Sequence, residues 1–386
     1  MFLIFASLGF GLVACNKEAP GDEDVAPSIN SPPPTQEEEE QPEPTPPVVT
    51  PEPAPPKRYL YVSSGVCFSG AGNTTFTTST ASNLIYRIDL ESALRENVLA
   101  DYNTAPAQAG DSPAGLALKN ASTVMTMVET TSGRRIEIVK KDGSDRSPFT
   151  SSAFVLSGVL RALVLGTDGA VFLSKSTAIE KMSALAVRQT VGAALPWVSA
   201  PAGSCATSTT MITSVALLPS GKLVFAHAGA AQNRIGVISD TGYSAVANCL
   251  AATNAPVAAA SPTALALADS NTDLLVAYAG TTTAAGMNAI YTYDIADSTG
   301  LITNPTKLLD ANTGASIFGI SAMAYDGGTQ HLYVATSNGT STTITNYNIE
   351  KFKYDATAKT LNKVGVLPFY PFGFDTKCIN GLVVGE

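Results

Sequence analysis

The chain reads as an all-β protein made of one repeated strand unit. Three observations predict this. Apolar residues alternate instead of recurring every three or four positions. Turn residues punctuate the chain at short intervals, and a loose strand–turn–strand pattern recurs from residue 115 onward. Charged residues make up only 14% of the chain, and long helical patterns rich in Glu, Lys and Leu are absent.

The N-terminus does not share the repeat. Residues 2–14 carry no charge and are too few to span a bilayer, which takes about 20 residues. Their length fits the apolar region of a signal peptide, so residues 1–14 are assigned to one. The run ends in Leu12-Val13-Ala14-Cys15, which resembles the bacterial lipobox. That resemblance implies cleavage before Cys15, lipidation of its sulfur and anchorage in a membrane. One departure is the missing positive charge ahead of the apolar run. By resemblance to the Gram-negative sorting rule, Asn16 after the cysteine implies the outer membrane of the cell envelope.

Residues 15–57 form the next segment. Residues 16–57 hold 13 of the chain's 24 prolines and the run Glu37–Glu40. Such sequence cannot form helix or central strand, and it favours extended polyproline II at about 3.1 Å per residue. It predicts a disordered spacer with a reach on the order of 100 Å. Residues 16–56 also contain ten acids and one base, the whole formal net charge of −9. The remaining chain holds 22 acids and 22 bases and has no basic stripe, which argues against a nucleic-acid partner.

Composition switches to strand at Tyr59-Leu60-Tyr61-Val62, so residues 58–386 are assigned to one folded domain. Each unit of its repeat opens on a small residue and a short apolar strand. A polar turn follows, then a second apolar strand. Five complete units open at Gly115, Ala162, Ser214, Ala264 and Ala322. Turns such as Thr167-Asp168-Gly169, Pro219-Ser220-Gly221 and Asp326-Gly327-Gly328 have hairpin chemistry. Most units continue into a third strand, as in Arg134–Val139, Asn233–Ile238, Asn288–Tyr293 and Ile349–Tyr354. The chain ends on a first strand without a second, Gly381-Leu382-Val383-Val384. The domain begins on a second strand without a first, Tyr59–Gly65. Joined, they complete a sixth unit.

Successive openings lie 47 to 59 residues apart, near the length of one four-stranded propeller blade. The predicted fold is therefore a six-bladed β-propeller whose C-terminal strand closes the N-terminal blade. A seventh blade hidden in Val187–Ser204 and a pair of β-sandwiches are the alternatives. Small opening residues fit a ring in which the innermost strands crowd around an axis. The pattern resembles the TolB-like and lactonase-like propellers over about 330 residues, though no Trp-Asp blade signature is present.

Four cysteines remain beside Cys15, an even number that suggests two disulfides in an exported chain. Cys67 follows the first strand of the domain and Cys378 precedes the last, so Cys67–Cys378 would staple the ring. Cys205 and Cys249 flank one blade and form the other expected pair. No Cys-x-x-Cys spacing points to metal.

Little else in the sequence marks a catalytic group. His227 ends a second strand and His331 begins one, and each is expected to be an ordinary strand-end histidine. No Gly-x-Ser-x-Gly or His-Glu-x-x-His occurs. Asp269–Asp273 and Asp142–Asp145 fall in turns and lack the spacing of a calcium loop. No metal or cofactor is expected. The segment Pro368–Phe374 places Phe369, Tyr370, Phe372 and Phe374 just ahead of the closing strand. Exposed, they would form a recognition patch; buried, the preferred expectation, they would cap the channel or fill an inter-blade gap. The sequence thus points to a binding or scaffold module for an envelope protein or glycan. A lactonase-like or other hydrolase acting on a small molecule in the channel is the alternative.

Overall fold

In the computed structural model each small opening residue lies in the innermost strand of an antiparallel sheet, four-stranded in five blades and five-stranded in the last. These inner strands are Ser112–Leu118, Leu160–Leu165, Met211–Leu217, Ser261–Ala268, Ala322–Asp326 and Cys378–Gly385. The structure describes residues 56–386 apart from 66, 69–75, 78–82, 105–110, 131–132, 151–159, 176–177, 186–187, 191–210, 229–232, 240–248, 269–271, 281–287, 312–316, 338–346, 367 and 372–377. The expected signal segment, Cys15 and the tether up to residue 55 lie outside the described residues, as do Cys205, Phe372 and Phe374.

The first blade contains both ends of the domain. Its strands run, from the axis outward, Cys378–Gly385, Tyr59–Gly65, Leu84–Asp89 and Arg95–Asp101. Tyr59 pairs with Gly385 and Gly65 with Cys378, so the last strand of the chain is hydrogen-bonded to the first. The ring closes because each inner strand lies against the inner strands on either side of it. Cys378–Gly385 touches both Ser112–Leu118 and Ala322–Asp326. The domain is a six-bladed β-propeller.

The seven-bladed alternative is excluded by direct contact. Inner strands Leu160–Leu165 and Met211–Leu217 are neighbours, which leaves no place between them for another blade. Arg188–Thr190 is the outer strand of the third blade instead. The sixth blade departs from four strands. Its third strand, Tyr347–Asp355, pairs with Thr360–Lys363 along one half and with Tyr370–Pro371 along the other.

Between successive blades lie six apolar clusters. Leu60 and Val62 point into the cluster shared with the sixth blade, whereas Tyr61 between them points into the cluster shared with the second. Middle strands are thus buried on both faces, as Leu274–Tyr278 shows with every residue fully buried. A buried Val, Leu or Ile contributes roughly 1.5–3 kcal/mol, so these interfaces dominate the stability.

Crowding at the axis explains the small residues. A Cβ added at Gly381 would lie 2.7 Å from the backbone nitrogen of Leu116, in the next blade. Gly115 has a positive φ of 80° and sits in a β-bulge between Ala114 and Leu116.

Candidate functional site

The six inner strands enclose an axial channel with a cavity volume of about 380 Å³. Its wall is graded along the strands. One residue ahead of each small opening stands Ala114, Arg161, Thr213, Thr263, Ser321 or Asn380, polar in five blades of six. Those five polar residues all line the channel and form a collar around it. Toward the other end the wall is apolar, with Leu118, Leu165, Leu267, Tyr325 and Val384.

Irregular backbone presents the collar. A bulge breaks the pairing of five inner strands near this level. The extra residue is Thr213 in the fourth blade, Thr263 in the fifth and Asn380 in the first. A bulge leaves one residue out of the ladder and re-aims its side chain.

Several collar groups also link blades. Thr213 Oγ1 donates to the Pro262 carbonyl at 2.6 Å, and Ser321 Oγ donates to the Ile379 carbonyl at 2.6 Å. Asn380 Nδ2 donates to the Pro113 carbonyl at 3.4 Å. Each bond runs from one inner strand to the next. Arg161 is the charged side chain among the residues that line the channel. It is half-buried, and burial lowers its guanidinium to about 10.

Six carboxylates buried in the blades are held elsewhere, by cations. Asp111 and Glu137 share Arg135, at 2.7 and 2.5 Å. Asp273 is bound by Lys359 and accepts the Tyr354 hydroxyl at 2.7 Å. Asp326 pairs with Arg58, Glu350 with Lys363 at 2.8 Å, and Asp310 with Lys307 at 2.6 Å. None of these carboxylates lines the channel. Among the described residues no group of three or more His, Cys, Asp or Glu side chains is arranged to hold a metal ion.

Most groups singled out in the sequence sit away from the collar. Asp142 lies in a turn, where its carboxylate accepts the Ser144 N–H and is held below its ordinary range chiefly by that bond. Asp269, Ser270 and Asn271 are outside the described residues. Phe369 and Tyr370 are half-buried and pack against the cluster between the sixth and first blades. The Phe369 ring meets Tyr333 edge-on at 5.0 Å, and Lys351 lies 5.3 Å from its centre. The gap between these two blades is thus filled in part by this segment. Cys378 is buried opposite Gly65, two residues before Cys67. Of Cys67 and Cys249 only the strand backbone is described, Cys249 standing opposite Ile238.

His331 shares a hydrogen bond between Nδ1 and Thr329 Oγ1 at 2.8 Å at the start of its strand. His227 is buried in the second strand of the fourth blade, paired with Ile212 and Arg234. Burial first, and the nearby Arg234 charge second, push its imidazole down to about 4. An unfolded histidine titrates near 6.5. Between these values the unfolded chain holds a proton that the folded chain does not, so stability falls with pH. This contribution is intact above about pH 6.5, declines as pH falls toward 4, and amounts to about 3 kcal/mol. Urea unfolding at pH 7 and pH 4 should show that loss. In His227→Leu the pH dependence should shrink by a similar amount, and equal pH dependence in both proteins would refute the assignment.

The collar was missed in the sequence, although its signal is visible there. Aligning the units one residue ahead of the small opening exposes the polar position.

No protein-family model and no curated protein matches the chain. Solved structures do. A protein from Lactobacillus plantarum is 13% identical with a TM-score of 0.51, covering 86% of this chain and 100% of that one. TolB from Acinetobacter baumannii is 13% identical with a TM-score of 0.45, covering 77% of this chain and 61% of that one. A gluconolactonase from Xanthomonas campestris is also 13% identical, with a TM-score of 0.43, covering 67% of this chain and 75% of that one. The likeness is one of fold. At such low identity, activity does not transfer with architecture.

Proposed function

We propose that the chain is an envelope lipoprotein, anchored through Cys15 in the outer membrane, whose propeller is a binding module for an envelope protein or glycan. One observation carries the choice of binding over hydrolysis. Asp111, Glu137, Asp273 and Glu350 are paired with cations within the blades, while the polar groups that the described residues bring to the channel wall are hydroxyl, amide and guanidinium. Such groups recognise by hydrogen bonding, and none of them is a proton carrier near neutral pH. The acidic, proline-rich segment 16–57 serves as spacer between lipid and domain. Two or more acyl chains give the stable anchorage that one does not. Disulfides Cys67–Cys378 and Cys205–Cys249 belong to the same proposal for an exported chain, the first supported by the register that sets Gly65 against Cys378.

The anchor is tested by metabolic labelling with a fatty acid. Wild-type protein should incorporate the label and lose residues 1–14, and Cys15→Ser should incorporate none. An unlabelled wild type overturns the anchor. The module is tested by screening the full chain against envelope glycans and purified envelope proteins, beside a panel of lactones and aryl esters. Saturable binding without turnover is the expected result. Hydrolysis above background would replace binding with the lactonase-like alternative.

A further inference from the structure

Two blade junctions are built from the same pieces. The inner strands of the second and fifth blades both begin on Ser-Pro, three residues ahead of the small opening. These corners are Ser112-Pro113 before Gly115 and Ser261-Pro262 before Ala264. The third strands of the first and fourth blades both follow an asparagine, Asn83 ahead of Leu84–Asp89 and Asn233 ahead of Arg234–Ile238. The ring brings each asparagine to the Ser-Pro corner of the next blade. Ser112 Oγ donates to Asn83 Oδ1 at 2.9 Å, and Ser261 Oγ donates to Asn233 Oδ1 at 3.4 Å. Both asparagines and both serines are buried.

The asparagine backbone holds the other end of the same connection. The Asn83 carbonyl accepts the Tyr102 N–H and the Asn233 carbonyl accepts the Ala255 N–H, each at 2.8 Å. Tyr102 and Ala255 directly follow the fourth strands of their blades. One residue thus grips the chain both where it leaves a blade and where it enters the next. Asn233 Nδ2 also donates to the Ala258 carbonyl at 2.8 Å, midway along the connection.

The proline of each corner is held from the axis. Asn380 Nδ2 reaches the Pro113 carbonyl at 3.4 Å, and Thr213 Oγ1 reaches the Pro262 carbonyl at 2.6 Å. Both donors stand on the inner strand of the preceding blade. Each corner is therefore tied to the first and the third strand of that blade, through two adjacent residues. One bond would leave a hinge, whereas two bonds on either side of the second strand oppose rotation about it. The proline ring stiffens the corner further by fixing φ at about −65°. In the first blade Gly65 makes room for the corner. An added Cβ there would collide with Ser112 Oγ and lie 2.6 Å from the Pro113 carbonyl oxygen. The two junctions lie opposite one another in the ring of six.

We propose that each junction is a clasp, so that the first and second blades move as one body, the fourth and fifth as another, and the collar is pinned at two opposite points. The clasps belong to the folded domain and do not rest on the envelope-binding proposal.

The test is hydrogen exchange of the full chain, read by mass spectrometry of peptides. Asn233→Ala should speed exchange within residues 255–264 about 10- to 100-fold, the effect of removing one partner from buried polar groups. Exchange around Ser112, across the ring, should stay at the wild-type rate. Thr213→Val, which removes the axial bond, should speed exchange in the same segment 255–264. The two substitutions together should add little to either alone, since either loss frees the corner. Gly65→Ala should loosen residues 111–116 and leave 255–264 unchanged. Unaltered exchange at 255–264 in Asn233→Ala, acceleration spread evenly over all blades, or fully multiplicative effects in the double variant each overturns the proposal. If Asn233→Ala does not fold, Thr213→Val and Gly65→Ala, each read at its own junction, decide it.

Discussion

Removal of residues 378–386 should abolish the cooperative unfolding transition of the domain. Those residues supply the inner strand of the first blade, although the rest of that blade comes from the other end of the domain. Seven residue pairs join it to Tyr59–Gly65. Ile379 and Leu382 are buried in the cluster between the sixth and first blades. Tyr61 Oη donates to the Glu386 carbonyl at 2.9 Å, and Lys141 Nζ, from the second blade, donates to it at 2.5 Å. Two buried aliphatic side chains contribute roughly 3–6 kcal/mol. The lost ladder hydrogen bonds add about 1 kcal/mol each. The sum is comparable to the whole stability of an ordinary domain, about 5–15 kcal/mol. Removal also leaves Tyr59–Gly65 as a long apolar edge, a template for aggregation. Circular dichroism during heating should show a broad or absent transition in the truncated chain, and limited proteolysis should cut within the first blade. A circular permutant that joins residue 386 to residue 58 and opens the chain between two blades should retain the transition. A truncated chain that melts cooperatively within a few degrees of wild type would sink the closure argument.

The ring was legible in the sequence because its geometry constrains composition. Side chains nearest the axis must be small, and Gly115, Ala162, Ser214, Ala264, Ala322 and Gly381 mark the inner strands one by one. Second strands were equally plain, since burial on both faces makes them continuous apolar runs such as Leu274–Tyr278. Outer strands were harder to read. Ile302–Asp310 is exposed along most of its length and carries Thr303, Asn304, Pro305, Thr306 and Lys307. A strand with one wet face and one free edge needs few apolar residues, so its pattern is weak. The candidate site was hidden for a different reason. Its collar takes one side chain from each of five blades, residues separated by up to 219 positions, and bulges that no local motif announces turn three of them out of the ladder. Only the ring brings Arg161 and Asn380 to one mouth. Cation partners of the buried acids were likewise invisible: Arg58 meets Asp326 across 268 positions and Lys359 meets Asp273 across 86.

Replacing Arg135 by Met should destabilise the domain by about 3–5 kcal/mol at neutral pH. Arg135 lies on the third strand of the second blade, with Nε 2.5 Å from Glu137 and Nη2 2.7 Å from Asp111. Both carboxylates are buried. Burial pulls the Arg135 guanidinium down, and its bonds to Asp111 and Glu137 more than offset that, so its affinity for the proton is raised. Glu137 has a second partner, the Tyr102 hydroxyl, which donates at 2.8 Å from beyond the outer strand of the first blade. Arg146 lies 4.7 Å from the Tyr102 ring, which adds a contact between the two blades. Without Arg135, two carboxylates remain in a low-dielectric setting and have lost the cation they share. That penalty, more than the lost attraction, sets the size of the effect. The combination Arg135→Met, Asp111→Asn, Glu137→Gln should therefore recover most of the loss, because neutral amides need no cation. Tyr102→Phe, which removes one hydrogen bond to a charged group, should cost less, roughly 1.5–3 kcal/mol. Urea unfolding of the four proteins measures the cycle. If Arg135→Met costs under about 1 kcal/mol, the network behaves as an exposed surface pair and not as a buried clamp between blades. If the triple variant is no more stable than Arg135→Met, packing of the arginine stem is what holds this corner, and charge compensation is not.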